Sequence, residues 1–290
     1  MNHPPRSDSH EPRKSLVSRA SSLLTFLIVA GLAIVMSIPA IELMNRRERS
    51  HCTAYVKAPE GITLIAHAGG GLKQGDYSNS EEALDQSLAY GFRLFELDFN
   101  WTDDGNLAIG HDWKGEYRYW NNLGWANWIA SFYTAPSSRR YEASTPRFGL
   151  TRLSLEALIY WLRNNPGRIV TDFKTGNLEG LALIASHAKE LQHRFVPQIY
   201  AMSEYSAARE LGYDDIILTT YRLSPGAEIF RQIDALDLFA VTVPAAVVAD
   251  AAGIISNNRI FTHTINAPVT LPAVGYYTDC LIPAETPDGT

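Results

Sequence analysis

Three carboxylates, two imidazoles and one ammonium group fall in apolar, strand-like stretches of this chain. Glu96 and Asp98 are two residues apart in LFELDFNWT, so on a strand their side chains share a face; Asp172 and Lys174 repeat the spacing in TDFK. Unpaired charge is costly to bury, so inward-facing acids require a cation, a partner or a wet cleft. Three converging carboxylates make an oxygen-rich site for a hard divalent cation, Ca²⁺ or Mg²⁺, rather than a thiolate zinc site. His67 ends TLIAHAG and His111 ends LAIGHD, and two imidazoles flanking a reacting centre suit an acid and base pair. Taken singly these signals are weak, because a strand-end histidine is commonly structural, Glu-x-Asp commonly a solvated face, and Lys174 a partner for Asp172 alone. Their strength lies in the combination.

Such groups meet only if the elements carrying them converge. From residue 62 onward, β-rich runs alternate with helix-like segments: TLIAHAG then NSEEALDQSLAYG, LFELDFNWT, SLEALIYWLRNNPG then RIVTDFK, LEGLALIASHAKELQHRF then VPQIYAM, SEYSAARELGY then DDIILTTYR. SPGAEIFRQIDALD, LFAVTVPA, RIFTHTIN and GYYTDCL complete the series. Repetition of this βαβ kind predicts a parallel sheet. Counting LAIGHD there are nine extended runs, but only the turn Asp103-Asp104-Gly105-Asn106 separates it from LFELDFNWT, so these two form an antiparallel hairpin. Eight parallel strands remain, the number of a TIM (β/α)8 barrel, whose active site lies at the C-terminal ends of the strands, where Glu96, Asp98, Asp172 and Lys174 fall. The hairpin returns His111 towards the same mouth.

Residues 113–150 form an aromatic-rich insertion with four tryptophans, long enough to be a lid or binding loop and equally able to form a small satellite core. At the N-terminus, residues 1–19 read as a polar cytoplasmic tail and 20–41, ASSLLTFLIVAGLAIVMSIPAI, as an uncharged run long enough to span a bilayer. A cleaved secretory signal is the rival, with Ala40 at the cut, but the run exceeds a usual signal core and favours an uncleaved anchor. Arginines and lysine flank the span on both sides, so charge leaves orientation close to a tie. Residues 42–61 read as a linker and 62–290 as the barrel domain, expected outside the cytoplasm on a single-pass anchor. Cys52 and Cys280 either form one disulfide, which closure of a barrel would allow by bringing its first and last strands together, or are two unrelated buried thiols. Of the 25 basic and 31 acidic side chains, seven and four lie in the first fifty residues, leaving a formal charge of −9 beyond them. That disfavours nucleic acid as a partner.

The motifs, in order, resemble the glycerophosphodiester phosphodiesterase family, within the barrel phosphodiesterases that include phosphatidylinositol phospholipases C and the sphingomyelinase D toxins. They are His67-Ala68-Gly69, Ser78-Asn79-Ser80, Glu96-Leu97-Asp98, Thr102-Asp103-Asp104-Gly105, His111-Asp112, Asp172-Phe173-Lys174, Thr264-Ile265-Asn266 and Thr278-Asp279. The resemblance spans residues 62–281. It implies that Glu96, Asp98 and Asp172 hold the cation, that His67 (base) and His111 (acid) exchange protons, and that Lys174 stabilises phosphate charge. It further implies that Asn79, His263 and Asn266 face the substrate. Three positions depart from the family pattern: Ala68 stands where the family has Arg, Ser78 where it has an acid, and His263 where it has Trp.

The expectation is therefore a metal-dependent phosphoric diester hydrolase acting on a glycerophosphodiester or a related phospholipid head group. A phospholipase of the C or D type, with the aromatic segment lying on lipid, is the alternative within the same chemistry. A silent module that binds phosphorylated ligands is the alternative outside it, favoured by the missing Arg and opposed by the retained histidines, acids and Lys174.

Overall fold

The computed structural model describes Cys52 and residues 54–113, 135–144 and 146–284. The described residues contain eleven strands: β1 (Val56–Lys57), β2 (Thr63–Ala66), β3 (Leu94–Trp101), β4 (Leu107–Ile109), β5 (Arg168–Phe173), β6 (Phe195–Ile199), β7 (Ile217–Thr219), β8 (Ala240–Pro244), β9 (Ile260–His263), β10 (Gly275–Thr278) and β11 (Leu281–Ile282). Strands pair in the order β2, β10, β9, β8, β7, β6, β5, β3, and β2 also pairs with β3, closing eight parallel strands into a barrel. Strand β4 runs antiparallel to β3, with Trp101 opposite Leu107 and Phe99 opposite Ile109, as the short polar turn demands. All nine expected runs are strands.

Alternation along each strand decides what lies inside the barrel. On β3, Phe95, Leu97 and Phe99 point outward into the apolar layer beneath the helices, while Leu94, Glu96 and Asp98 take the other face. Ile65, Val170, Val196, Ile217, Ala240, Phe261 and Tyr277 form a buried plug, one residue from each of seven strands, with Leu94 packed against it. The next inward positions towards the mouth are His67, Asp172, Gln198, Thr219, Thr242, His263 and Asp279. The interior thus passes from apolar floor to polar mouth within one or two residues of every strand.

Helices cover the outside. Ser80 caps helix Glu81–Ala89 by accepting from Ala83 N, and Ser154 caps helix Leu155–Asn164 in the same way from Ala157 N. The second of these buries Leu158, Trp161 and Leu162, and Trp161 Nε1 donates to Asp85 Oδ1 at 2.8 Å. Helix Asn177–Ala188 lies so close to β5 that a Cβ on Gly180 would sit 2.0 Å from the Phe173 ring, which leaves room only for glycine. Helices Glu204–Glu210, Ala227–Asp234 and Val248–Ala252 follow β6, β7 and β8. The last was not expected, being a single five-residue turn. Among the described residues no helix intervenes between β9 and β10.

The stretch read as a linker differs from expectation. Cys52 is disulfide-bonded to Cys280, with Cα atoms 5.3 Å apart, and β1 pairs in parallel with β11, Val56 opposite Leu281. The segment from Cys52 on is therefore part of the folded unit. Residues 20–41, expected to span a bilayer, lie outside the described residues, as does most of the aromatic insertion; among the described residues no helix is long and apolar enough to cross a membrane. The described end of the insertion, helix Ser138–Glu142, packs on the hairpin through Tyr141, whose hydroxyl donates to Ile109 O at 2.6 Å.

Candidate active site at the barrel mouth

Register brings the acids together. In the parallel pairing of β3 and β5, Asp98 is directly opposite Asp172, and Glu96 sits one inward position deeper on β3. Ligating oxygens of Glu96, Asp98 and Asp172 all lie within 4.8 Å of one another. Each carboxylate is oriented by a neighbour. Glu96 Oε2 accepts from Ala68 N at 2.7 Å, Asp98 Oδ2 from Asn79 Nδ2 at 2.8 Å, and Asp172 Oδ1 from the hydroxyls of Tyr200 and Tyr221. Asn79 also accepts from Asp98 N through Oδ1 at 3.0 Å, so its amide is fixed at both ends. An all-oxygen donor set with its outer oxygens already bonded fits a hard divalent cation.

Lys174 partly offsets this charge. Its Nζ lies 2.5 Å from Asp98 Oδ1 and 2.8 Å from Asp172 Oδ2, so it serves two acids rather than the single expected partner. Burial opposes the ammonium form, but Asp98 and Asp172 outweigh it and hold Lys174 well above the usual lysine range. Burial likewise favours neutral Asp172, yet Lys174 and the two tyrosine hydroxyls keep it below the usual carboxylate range. For Glu96, burial together with the charge of Asp98 outweighs the opposing pull of His67 and Lys174 and raises its pKa to about 8.

The two histidines differ in setting. His67 Nδ1 lies 2.9 Å from Asp279 Oδ1, and Nε2 faces Glu96 Oε2 at 3.9 Å. Burial alone would lower its pKa, but the hydrogen bond to Asp279 and the charge of Glu96 carry it up to about 9. Asn266 fixes Asp279, donating from Nδ2 to Oδ2 at 2.7 Å and accepting from Asp279 N at 2.8 Å. Asn266 thus orients the partner of a histidine, where sequence reasoning put it against substrate. His111 is half-exposed, with Nδ1 2.9 Å from Asp112 Oδ2. Tyr77 stands edge-on to both imidazoles, its ring 4.7 Å from His67 and 5.1 Å from His111.

His263 lies between Tyr221 and Tyr277, with ring centroids 5.8 and 5.9 Å away, and its Nε2 is buried without a described hydrogen-bond partner. Burial lowers its pKa. All nine residues singled out from sequence therefore stand on or beside one mouth. Sequence reasoning missed Tyr77, Tyr200 and Tyr221, although strand alternation continued past VPQI and ILTT would have turned Tyr200 and Tyr221 inward.

No family model matches the sequence, and no curated protein matches it. The fold does match solved structures. A glycerophosphoryl diester phosphodiesterase from Parabacteroides distasonis is 14% identical with a TM-score of 0.59, covering 83% of this chain and 97% of that one. The glycerophosphodiester phosphodiesterase from Thermotoga maritima is 15% identical, TM-score 0.55, covering 75% and 94%. An Oleispira antarctica phosphodiesterase in complex with its product sn-glycerol-3-phosphate is 15% identical, TM-score 0.53, covering 75% and 92%. At these identities the likeness is one of fold.

Proposed function

We propose that the chain is a divalent-metal-dependent phosphodiesterase that cleaves glycerophosphodiesters or closely related phospholipid head groups. The observation that carries this reading is the meeting of the three carboxylates Glu96, Asp98 and Asp172 beside His67 at the C-terminal mouth of the barrel. The motif resemblance and the solved structures of this fold, one holding sn-glycerol-3-phosphate, support the substrate class.

When bound, the cation supplies charge neutralisation at the phosphate oxygens. In this reading Glu96, Asp98 and Asp172 hold it, and Lys174 adds a second positive charge on the phosphate side. His67, which must be neutral for this role and so needs the charge of Glu96 offset, takes the proton of the attacking hydroxyl at Nε2 while Asp279 steadies Nδ1, and His111 returns a proton to the leaving oxygen from the other side of Tyr77. By the resemblance, the attacking hydroxyl belongs either to water or to the substrate itself, the latter giving a cyclic phosphate. His263 suits a substrate contact, since a buried nitrogen without a partner costs about 1–3 kcal/mol unless a ligand satisfies it.

The same reading places the enzyme on a membrane through residues 20–41, with its domain in an oxidising compartment, consistent with the disulfide. Recovery of full activity in a soluble cytosolic fraction would count against that location.

The function is tested on purified full-length protein in detergent, assayed on a panel of glycerophosphodiesters and lysophospholipids with and without chelator. His111→Ala should lose less activity on a diester with a good leaving group, which needs no proton. Hydrolysis of lysophospholipids alone would move the substrate to membrane lipid, and binding without turnover would favour the silent module.

A further inference from the structure

We infer that Arg222, with Tyr200 and Tyr221, forms an anion subsite on the wall of the mouth, and that it holds an anionic oxygen pair of the substrate; this rests on the phosphodiesterase reading. Arg222 follows Tyr221 beyond the end of β7, four strands round the barrel from β2 in either direction. Its guanidinium carbon lies 3.8 Å above the Tyr200 ring and 5.9 Å from that of Tyr221. Both tyrosine hydroxyls reach Asp172. One aromatic side chain therefore separates the guanidinium from the carboxylate cluster.

Among the described residues, what Arg222 lacks is an acid. Lys174 and His67 each face two carboxylates and His111 faces one, whereas Arg222 forms no ion pair among the described residues. Its described hydrogen bond, to Phe173 O, is long at 3.4 Å. An exposed guanidinium on a chain this acidic would find a carboxylate easily if its work were an ion pair. Instead its guanidinium carbon sits over an aromatic face at cation–π distance, which holds the group in place while leaving donors free for a planar or tetrahedral oxyanion. At the end of β2 residue 68 is alanine, so that corner presents no guanidinium. The anion so bound is either the scissile phosphate or a second anionic group on the head group, and both offer the same oxygen pair.

The test compares wild type, Arg222→Met, Arg222→Lys and the surface control Arg231→Gln. Methionine keeps packing on Tyr200 and removes the charge; lysine keeps the charge and removes the fork. Binding of sn-glycerol-3-phosphate is followed by calorimetry, with melting temperature alongside. We expect Arg222→Met to weaken binding by about tenfold or more, Arg222→Lys to fall between, and Arg231→Gln to match wild type, all at unchanged melting temperature. KM values then identify the source: a rise on glycerophosphocholine and glycerophosphoserine alike assigns the scissile phosphate, and a rise on glycerophosphoserine alone assigns the second anion. Wild-type hydrolysis with unchanged binding and KM in Arg222→Met overturns the subsite and leaves the phosphodiesterase reading standing. Absence of both binding and hydrolysis in wild type overturns both.

Discussion

His67 and Asp279 directly follow neighbouring parallel strands, β2 and β10, and their side chains meet with Nδ1 2.9 Å from Oδ1. The pairing is one of register, since Thr278 is opposite Ala66 and the next residue on each strand faces the mouth. Because Asp279 is itself pinned by Asn266, the imidazole has one preferred orientation, with Nε2 directed at Glu96.

Asp279→Asn should therefore lower the pKa of His67 from about 9 in the metal-free protein, which an NMR titration of its ring proton reads directly. A histidine raised in the folded state stabilises the protein fully below the unfolded value near 6.5, and that contribution disappears as pH rises through about 9. Wild type should thus exceed the variant in stability by about 2 kcal/mol at pH 6, and the gap should close by pH 9 to 10. A gap that stays constant across this range would separate Asp279 from the proton on His67.

Much of this site was legible because strand alternation has a period of two and acids are conspicuous in it. Glu96 and Asp98 on β3, and Asp172 and Lys174 on β5, could be assigned to one face from spacing alone. Their mutual placement could not, because Asp98 meets Asp172 through lateral register, which is set by packing between strands rather than by either strand's sequence. The same limit explains Lys174, whose second partner lies on the next strand. Two-residue strands such as β1 and β11 carry no periodic signal at all, so the folded segment after Cys52 read as linker. Tyr77 gave no warning either, since it lies in an irregular segment with φ of 62° rather than on an alternating strand.

The disulfide joins residues 228 apart and lies against the mouth, with Cys52 Sγ 3.1 Å from the carbonyl oxygen of Asp279. Reduction should cost about 2–4 kcal/mol of stability, chiefly by freeing the unfolded chain. It should also lower activity more than a purely global loss predicts, because the residue after Asp279 loses its tether. A thiol-blocking reagent should label neither cysteine in the native unreduced protein. Labelling of both, or full activity after complete reduction at a temperature where the domain stays folded, would sink this.

Lys174→Met removes the only described cation between Asp98 and Asp172 and leaves two largely buried carboxylates facing each other. The metal-free variant should lose roughly 3 kcal/mol, read as a fall in melting temperature under chelator. Added Ca²⁺ or Mg²⁺ should restore most of that loss, because a divalent ion neutralises the same oxygens, while turnover should stay low for want of the second positive charge. An unchanged melting temperature under chelator would mean that the two acids do not need the lysine.

Glu96 decides whether the acids form a metal site. Buried beside Asp98, it is raised from 4.5 to about 8 without a cation, so at pH 7 the metal-free site holds a proton there. A carboxylic acid raised in this way stabilises the fold below pH 4.5 and loses that contribution as pH rises through about 8. Cation binding needs the carboxylate, so metal uptake at pH 6 to 7 should release close to one proton, and affinity should climb with pH until about 8 and then level off. Calorimetry in two buffers of different ionisation enthalpy measures the release. Glu96→Gln keeps the shape but has no proton to give, so it should show no release at this position, bind Ca²⁺ or Mg²⁺ on the order of tenfold more weakly, and retain its secondary structure. In wild type, chelation should lower the melting temperature in proportion to the logarithm of free metal over its dissociation constant. If chelation changes neither melting temperature nor activity and titration with either ion releases no proton, the three carboxylates are held by Lys174 alone and the metal-dependent reading is wrong.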